Sequence, residues 1–498
     1  MSDTGPIAGP SSVSQGVLAV QPETIPLRRG RGAVALHAAG FRHPGHLSRE
    51  HFTPYADVTH LVAGARGLRI GTTRSVFVLP RSAFANPAAA DRLHRALVER
   101  VAALSDGPLR LARFAELDQR ARSGRPAVAC WAFAAICVAL YVVGRLTTPG
   151  TLELAGMFSR TLVLHGEPWR VLTGNLLHAN ALHLLLNLIV VVLIGALVER
   201  PLGAARTLFV IAAASVAAMG SGLVVGYEQA LGASGVASGL VGAALHLELR
   251  HPAELPALWR LPRRVLVAAI LLEAVVSFTA PFVAGAAHAA GFAAGYVAAA
   301  LVARSGLRGE PAAPWLRVAD AAVVAALALS LFLVVGEVAG RTGVVLRRAE
   351  RLLEIPGTDP QLLNNTAWTL ATEGKPGAEQ LGVAERLAEE AVRRTHRQDP
   401  NVLDTLAEVL FQRGDADRAV ATIDEAIALA PAVDYFREQR RRFTGERAAN
   451  DRPTAPSEEL APGEGAEPPP GSEPPSPRPV PRSPDDDEIP SDDSTITI

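Results

Sequence analysis

Hydrophobic and polar positions divide the chain into stretches of different period. Between Thr24 and Arg81 short runs alternate apolar and polar residues: Val34-Ala35-Leu36, Val58-Thr59-His60-Leu61-Val62, Leu68-Arg69-Ile70-Gly71 and Ser75-Val76-Phe77-Val78-Leu79. Glycine and polar turns separate them, and a two-residue period of this kind predicts strands. Ala88 to Leu104 changes to helical spacing through Leu93, Leu97, Val98, Val101 and Leu104. A small α+β soluble domain is therefore expected within residues 1–125.

From Pro126 to Gly336 the apolar residues become nearly continuous. Seven spans are predicted, at Ala127–Gly144, Leu176–Val198, Thr207–Val225, Ala230–Leu249, Val265–Val283, Ala286–Ala303 and Val318–Gly336. Residues 126–340 are thus read as an all-α polytopic membrane domain. Arg120, Arg122 and Arg125 precede the first span. Arg250, Arg260, Arg263 and Arg264 lie between the fourth and fifth, and Arg304, Arg308 and Arg317 between the sixth and seventh. The intervening loops with Tyr227-Glu228-Gln229 and Thr279-Ala280-Pro281 lack basic residues. Basic loops stay in the cytoplasm, so the N-terminus is expected inside and, after an odd number of spans, the C-terminus outside. Arg341, Arg347, Arg348 and Arg351 just past the last span weigh against the external C-terminus.

Two amphipathic helix pairs follow. Asn365 to Leu370 is succeeded by Ala384 to Ala391, and Asp404 to Leu410 by Ala419 to Ile427, ending at Ala430-Pro431. The offset of about 35–39 residues, with small residues at helix crossings, resembles tetratricopeptide repeats. The repeat domain is expected over 341–445, with an added helix at Val344–Leu353 or Tyr435–Phe443 closing the stack. From Glu446 onward proline and acidic residues dominate, as in Asp485-Asp486-Asp487-Glu488, and 446–498 reads as a disordered tail. The N-terminal strands with their C-terminal helix loosely resemble a pleckstrin-homology module.

Composition changes this picture little. The hydrophobic fraction is 49% and the mean hydropathy +0.21, concentrated in the middle of the chain, while the net charge of −1 gives no reason to expect a nucleic-acid partner. Met1 to Gln21 has no apolar stretch of signal-peptide type, so the first span is expected to direct insertion. Cys130 and Cys137 stand at i, i+7, about 10 Å apart along one helix, and read as core residues. Lys375 is the single lysine among abundant arginine and alanine, a bias taken to indicate a bacterial inner-membrane protein. His43, His46, His51 and His60 match no zinc spacing and are read as ordinary loop and surface histidines. Neither a metal nor a cofactor is expected.

Chemistry concentrates at Gly232-Ala233-Ser234-Gly235, where a loop turns into an apolar segment, and at Ala287-His288-Ala289-Ala290-Gly291. Serine is a poor nucleophile until a base takes its proton, and His288 is the candidate base. His288, Gly291 and Gly295 share one helix face; Ser234 and Ser238 lie beside the Gly235/Gly239 pair on another. Small residues at four-residue spacing permit close helix approach in lipid. His183 and Asn187, also i, i+4, present an imidazole and an amide on one face. With the Ser234 N–H they would converge on one oxygen, as an oxyanion hole requires, if the fourth helix comes near. His178 is read either as an interfacial histidine or, with Asn180, as a polar group that keeps the cavity wet. Ser238 reads as a packing residue and His246, about 18 Å down the helix, as remote from the site. Glu273 is an intramembrane acid without an evident partner, expected at a gate or cavity wall.

Five motifs in order then resemble the rhomboid intramembrane serine proteases: Trp169-Arg170, the HxxxxHxxxN of His178, His183 and Asn187, Glu199, the GxSG of Gly232 to Gly235, and the AHxxGxxxG from Ala287. The resemblance spans Pro126 to about Ala303 and implies a six-helix core plus a seventh span. It also implies a Ser234–His288 dyad in a water-accessible cavity opening outward, a fifth span gating lateral access, and Trp169-Arg170 in an outer-leaflet loop. Where many relatives carry an aromatic residue four positions after the nucleophile, this chain has Ser238. Without a carboxylate, His288 would be oriented by packing and backbone alone. The expected function is intramembrane serine endopeptidase. Its partners are transmembrane protein substrates, the lipid bilayer and a protein ligand of the repeats. A catalytically silent rhomboid-like protein that binds membrane clients is the alternative, disfavoured because Ser234 and His288 are both present. A histidine-lined channel is the third reading, and it finds no use for GxSG.

Overall fold

The computed structural model describes residues 23–28, 32–44, 50–124, 126–146, 151–279, 285–304, 307, 313–339, 343–372 and 375–453. His46, Arg125, Arg308, Arg341, the end of the fifth expected span and the tail beyond 453 lie outside the described residues.

The N-terminal region contains two antiparallel sheets. One has the order β1 (Glu23–Pro26), β2 (Ala33–Leu36), β3 (Gly40–Pro44) and β4 (Glu50–Pro54); the other has β5 (Val58–Gly64), β6 (Gly67–Thr72) and β7 (Val76–Pro80). Val34, Leu36, Phe41, Leu68 and Ile70 alternate inward along these strands and bury a core shared with Leu93, Leu97 and Val101 of helix α1 (Pro87–Ala102). Asn86 starts α1 by accepting the Ala88 N–H at 2.9 Å, with Pro87 at the first helical position. A second helix, α2 (Gly107–Arg122), was not expected. It buries only Gly107, Phe114 and Leu117 within a charged run, too few to set a visible period.

Five helices among the described residues are long and apolar enough to cross a membrane: Val128–Leu146, Ala181–Leu202, Ala204–Val225, Gly285–Ala303 and Pro314–Gly336. In chain order the elements are α3 (Val128–Leu146), α4 (Thr151–Gly156), β8 (Phe158–Ser159), α5 (Arg160–Leu164), α6 (Arg170–Thr173), α7 (Ala181–Leu202), α8 (Ala204–Val225), β9 (Gln229–Ala230), α9 (Ser234–Arg250), α10 (Arg263–Thr279), α11 (Gly285–Ala303) and α12 (Pro314–Ala339). The second expected span starts later, at Ala181, because Asn180 takes an extended backbone and its side chain accepts the His183 N–H at 2.8 Å. Leu176 and Leu177 are apolar because the preceding loop buries them against protein. The fourth and fifth expected spans are the shorter helices α9 and α10, of 17 residues each. Glu199 of α7 is buried and accepts the N–H groups of Ala129 and Cys130 at 2.9 and 3.0 Å, two donors that the first turn of α3 would otherwise leave unpaired.

Beyond α12, six helices pack on one core: α13 (Gly343–Glu354), α14 (Pro360–Thr372), α15 (Ala378–Arg394), α16 (Pro400–Gln412), α17 (Ala416–Leu429) and α18 (Asp434–Phe443). Both candidate closing segments, at Val344–Leu353 and Tyr435–Phe443, are helical. Leu162 of α5 joins this core, so the helical region packs on the loop between α3 and α7.

The N-terminal β-rich region and the C-terminal helical region attach at opposite ends of α9. At its C-terminal end, Glu248 holds the buried Arg260 through two bonds of 2.7 and 2.8 Å, and Arg260 also donates to Thr59 Oγ1 of β5 at 3.2 Å. Nearby, Ala257 donates its N–H to His60 Nδ1 at 3.0 Å. Before its N-terminal end, Gln229 accepts from the Asn365 amide at 2.9 Å.

Candidate active site

Ser234 is the first residue of α9, and the loop before it dictates how it is presented. Gly232 adopts φ +123°, a backbone conformation that side chains rarely tolerate, and its N–H donates to Gly174 O at 2.9 Å. A Cβ at Gly232 would stand 2.6 Å from His183 Cε1 and 3.7 Å from Asn187 Nδ2. Only a glycine lets that ring lie against the loop one turn ahead of the serine. The hydroxyl oxygen of Ser234 lies 2.7 Å from Nε2 of His288.

Close approach of α9 and α11 makes this distance attainable. A Cβ on Gly291 would be 2.2 Å from Gly235 O, and one on Gly295 would be 2.0 Å from Gly239 O. On its other side α9 meets α8, where a Cβ at Gly239 would stand 2.4 Å from the Ala214 methyl. The glycines thus remove the side-chain layer that ordinarily separates packed helices by 8–10 Å. Ser238 is buried one turn beyond Ser234, and His246 packs near the far end of α9 against Tyr296, ring centroids 5.0 Å apart.

The remaining polar groups come from α7 and the loop before it. Asn187 is buried, and its side-chain nitrogen has no hydrogen-bond partner among the described residues. A buried donor without an acceptor is costly in a fold. His178 is buried and accepts the Ala233 N–H through Nε2 at 3.3 Å, with its ring edge-on to His183 at 5.2 Å. It therefore holds the loop that carries Ser234.

Trp169-Arg170 lies in the α3–α7 connection. Arg170 is 1% exposed and bonds Glu167 at 2.6 Å, Met157 O at 2.7 Å and Leu154 O at 2.7 Å, so its part is to knit this loop together. The other Glu167 oxygen accepts from Arg348 of α13 at 2.9 Å.

Two neighbours of the site, Glu228 and Ser277, were not evident from sequence, and a third, Glu273, was singled out there without a partner. Glu228 accepts from Ser159 Oγ at 2.7 Å, Thr161 N at 3.1 Å and Thr161 Oγ1 at 3.0 Å, and β8 pairs with β9, tying the α3–α7 loop to the loop before Ser234. A lone acid in an otherwise uncharged loop was the available signal. On the other side of His288, Ser277 Oγ lies 3.2 Å from Nδ1, and a carboxylate oxygen of Glu273 is close to the same nitrogen. A carboxylate thus lies near a histidine for which none was expected. Glu273 and Ser277 at i, i+4 hinted at a shared polar face of α10, but no spacing could say which helix that face meets.

Residues 165–305 match the family model described as Rhomboid domain. The chain is 27% identical over 294 residues to Rhomboid protease GluP of Bacillus subtilis (strain 168), covering 59% of this chain and 52% of that protein. It is 34% identical over 160 residues to RHOMBOID-like protein 5 of Arabidopsis thaliana, covering 29% of this chain and 48% of that one. The chain spans about half the length of the curated relatives it matches. A rhomboid-family domain is therefore present, homologous to bacterial and plant rhomboid proteins.

Proposed function

We propose that the rhomboid domain is an intramembrane serine endopeptidase with Ser234 as nucleophile and His288 as general base. The observation that carries this reading is the 2.7 Å separation of Ser234 Oγ and His288 Nε2. A nucleophile and a base within hydrogen-bond reach are the minimum that acyl transfer needs. As Ser234 attacks the scissile carbonyl, Nε2 takes the hydroxyl proton and later returns it to the departing amine. The oxyanion that forms is received by Asn187, His183 and the Ser234 N–H. Water then releases the acyl group from the serine ester. The identity to a bacterial relative named as a protease supports the same activity.

The substrate class is a transmembrane protein segment reaching the site from lipid past α10, and the location is the bacterial inner membrane. The N-terminal region lies in the cytoplasm, pleckstrin-homology-like in its strands and closing helix. The helical region is external, a tetratricopeptide-like array offering a surface to a protein ligand. The ties of Arg348 to Glu167 and of Arg351 to His165 O at 3.2 Å support this orientation, because those arginines are engaged by the protein and lose force as a cytoplasmic signal.

The test is labelling of the purified full chain with a fluorophosphonate, together with cleavage of a single-span substrate in liposomes. Wild type should label and cleave, and Ser234→Ala and His288→Ala should do neither. Cleavage retained in either variant would refute the dyad. Absence of both activities in the wild type would leave the client-binding alternative.

A further inference from the structure

We propose that α18 and the segment following it to residue 453 form a detachable cover on the helical region, latched by a proton on the buried Asp404 of α16. The cover holds tighter in mildly acidic surroundings and opens more often as the pH approaches neutrality. This inference is independent of the Ser234–His288 reading. Asp404 is 5% exposed and both its oxygens face α18: Oδ1 accepts from Gln439 Nε2 at 3.1 Å and Oδ2 from the Tyr435 hydroxyl at 3.1 Å. One turn on, Glu408 is fully buried and takes both Arg442 of α18 and, at 2.9 Å, Arg452. Among the described residues Asp404 is thus bonded by neutral donors, while the guanidiniums go to its neighbour.

A buried acid with no cation bonded to it, one helical turn from a second acid, is the one that keeps a proton. Burial first, and the neighbouring Glu408 second, push Asp404 up to about 7, against the opposing pull of Gln439, Tyr435 and Arg442. The neutral acid stays fully bonded, because it donates to the Tyr435 oxygen and still accepts from Gln439. When α18 lifts away, Asp404 meets water and returns to the ordinary carboxylate range near 3.9. The covered state therefore binds the proton more tightly. Its stability is complete below about pH 4, is lost progressively as pH rises to about 7, and levels off above. Other elements packed on α16 do not compete. Helix α14 carries no titratable residue, and the charges of α15 and α17 are engaged elsewhere, as in Arg413 with Glu385, Arg418 with Glu389 and Arg397 with Glu425. On α18 itself Arg440 pairs with Asp424 and Arg441 with Glu438 on the exposed side.

What the cover hides is aromatic. Phe436 and Phe443 of α18 are buried, Phe443 lies 4.8 Å from the Phe411 ring of α16, and the Arg442 guanidinium stands 4.9 and 5.0 Å from those two rings. Arg452 stands 5.5 Å from the ring of Trp368 on α14. This burial keeps the cover closed in most molecules at any pH, and the proton sets how often it opens. Opening uncovers Phe411 and Trp368 together, on the helix pair whose α14 also bonds Gln229 through Asn365. The latch reads the pH of whichever compartment the helical region faces.

The experiment is hydrogen exchange of the full chain in detergent, with rates corrected for their intrinsic pH dependence, on wild type, Asp404→Asn, Tyr435→Phe and Asp424→Asn. In wild type, protection over 434–443 should fall about 10- to 50-fold from about pH 5 to about pH 7, and less than threefold from about pH 7 to about pH 8. Asp404→Asn cannot ionise and should keep its acid-side protection throughout. Tyr435→Phe removes a donor to the ionised form, so its fall should continue to higher pH. Asp424→Asn, which alters an exposed pair on α17, is the control and should follow wild type. A wild-type change below threefold from about pH 5 to about pH 7, or an equal fall in Asp404→Asn, overturns the latch. Should Asp404→Asn fail to fold, the wild-type profile still decides, and a Tyr435→Phe profile superposable on it also overturns the proposal.

Discussion

Gly291 faces Gly235 so closely that a single methyl group on Gly291 would stand 2.2 Å from the Gly235 carbonyl oxygen. The backbones of α9 and α11 are in contact there, next to Ser234 and one turn from His288.

Adding one carbon at this seam should separate the helices. Gly291→Ala and Gly295→Ala are each expected to cost about 1–3 kcal/mol by overpacking. They should also stretch the Ser234–His288 separation enough to remove fluorophosphonate labelling. Gly220→Ala in α8, where a Cβ meets nothing within 4 Å, is the control and should leave both unchanged. Thermal midpoints in detergent and labelling rates measure the two effects.

Asn187→Ala should lower kcat about 10²–10³-fold, the usual cost of one lost oxyanion donor, with a small gain in stability because a buried unpaired nitrogen is removed. His178→Ala should act in the opposite sense. Losing the acceptor for the Ala233 N–H costs about 1–3 kcal/mol, and His178→Asn, which restores an acceptor, should recover part of it. Melting and turnover measured on the same preparations separate the two residues.

Arg348→Ala should loosen α13 from the α3–α7 loop, because Glu167 then loses its external guanidinium while keeping Arg170. Faster amide exchange over 343–354, with little change over 154–170, is the expected pattern. Glu167→Ala should instead destabilise the loop itself, since Arg170 is buried and would lose its carboxylate, a loss of about 3–5 kcal/mol for a broken buried pair.

The seat of the N-terminal region on the 252–263 loop should weaken in acid. Burial holds His60 below its ordinary value of 6.5, with Asp118 opposing from 3.2 Å. The unfolded state therefore takes up a proton before the folded one does. Stability from this contact is complete above about pH 6.5 and is lost as pH falls below it toward the lowered folded value. Protonation also removes the Nδ1 lone pair that accepts the Ala257 N–H. Protection of the 252–263 amides, as exchange rates corrected for the intrinsic pH dependence, should fall as pH drops below about 6.5 in wild type, and much less in His60→Asn.

Several features were legible before any coordinates. Apolar runs of span length, the change to a two-residue period at the N-terminus and the amphipathic helices after Gly343 are local patterns, set by whether a side chain meets lipid, water or protein. Helix faces follow from the 3.6-residue period, so His183 with Asn187 and His288 with Gly291 were placed on common faces from spacing alone. The exact starts of α7 and α9 were not legible, because Leu176, Leu177 and Ala230 are apolar or small for reasons of loop packing and a two-residue sheet rather than lipid contact.

What the sequence determined by itself is which side chains share an element. Which elements meet was decided by the tertiary structure, since no periodicity records the azimuth of one helix against another. Ser234 and His288 were paired by the chemistry each needs, and the glycine seam lets them come within 2.7 Å. Glu273 carried no such hint, because an acid's partner is fixed by the rotation of α10 about its own axis, and that rotation depends on every contact the helix makes at once.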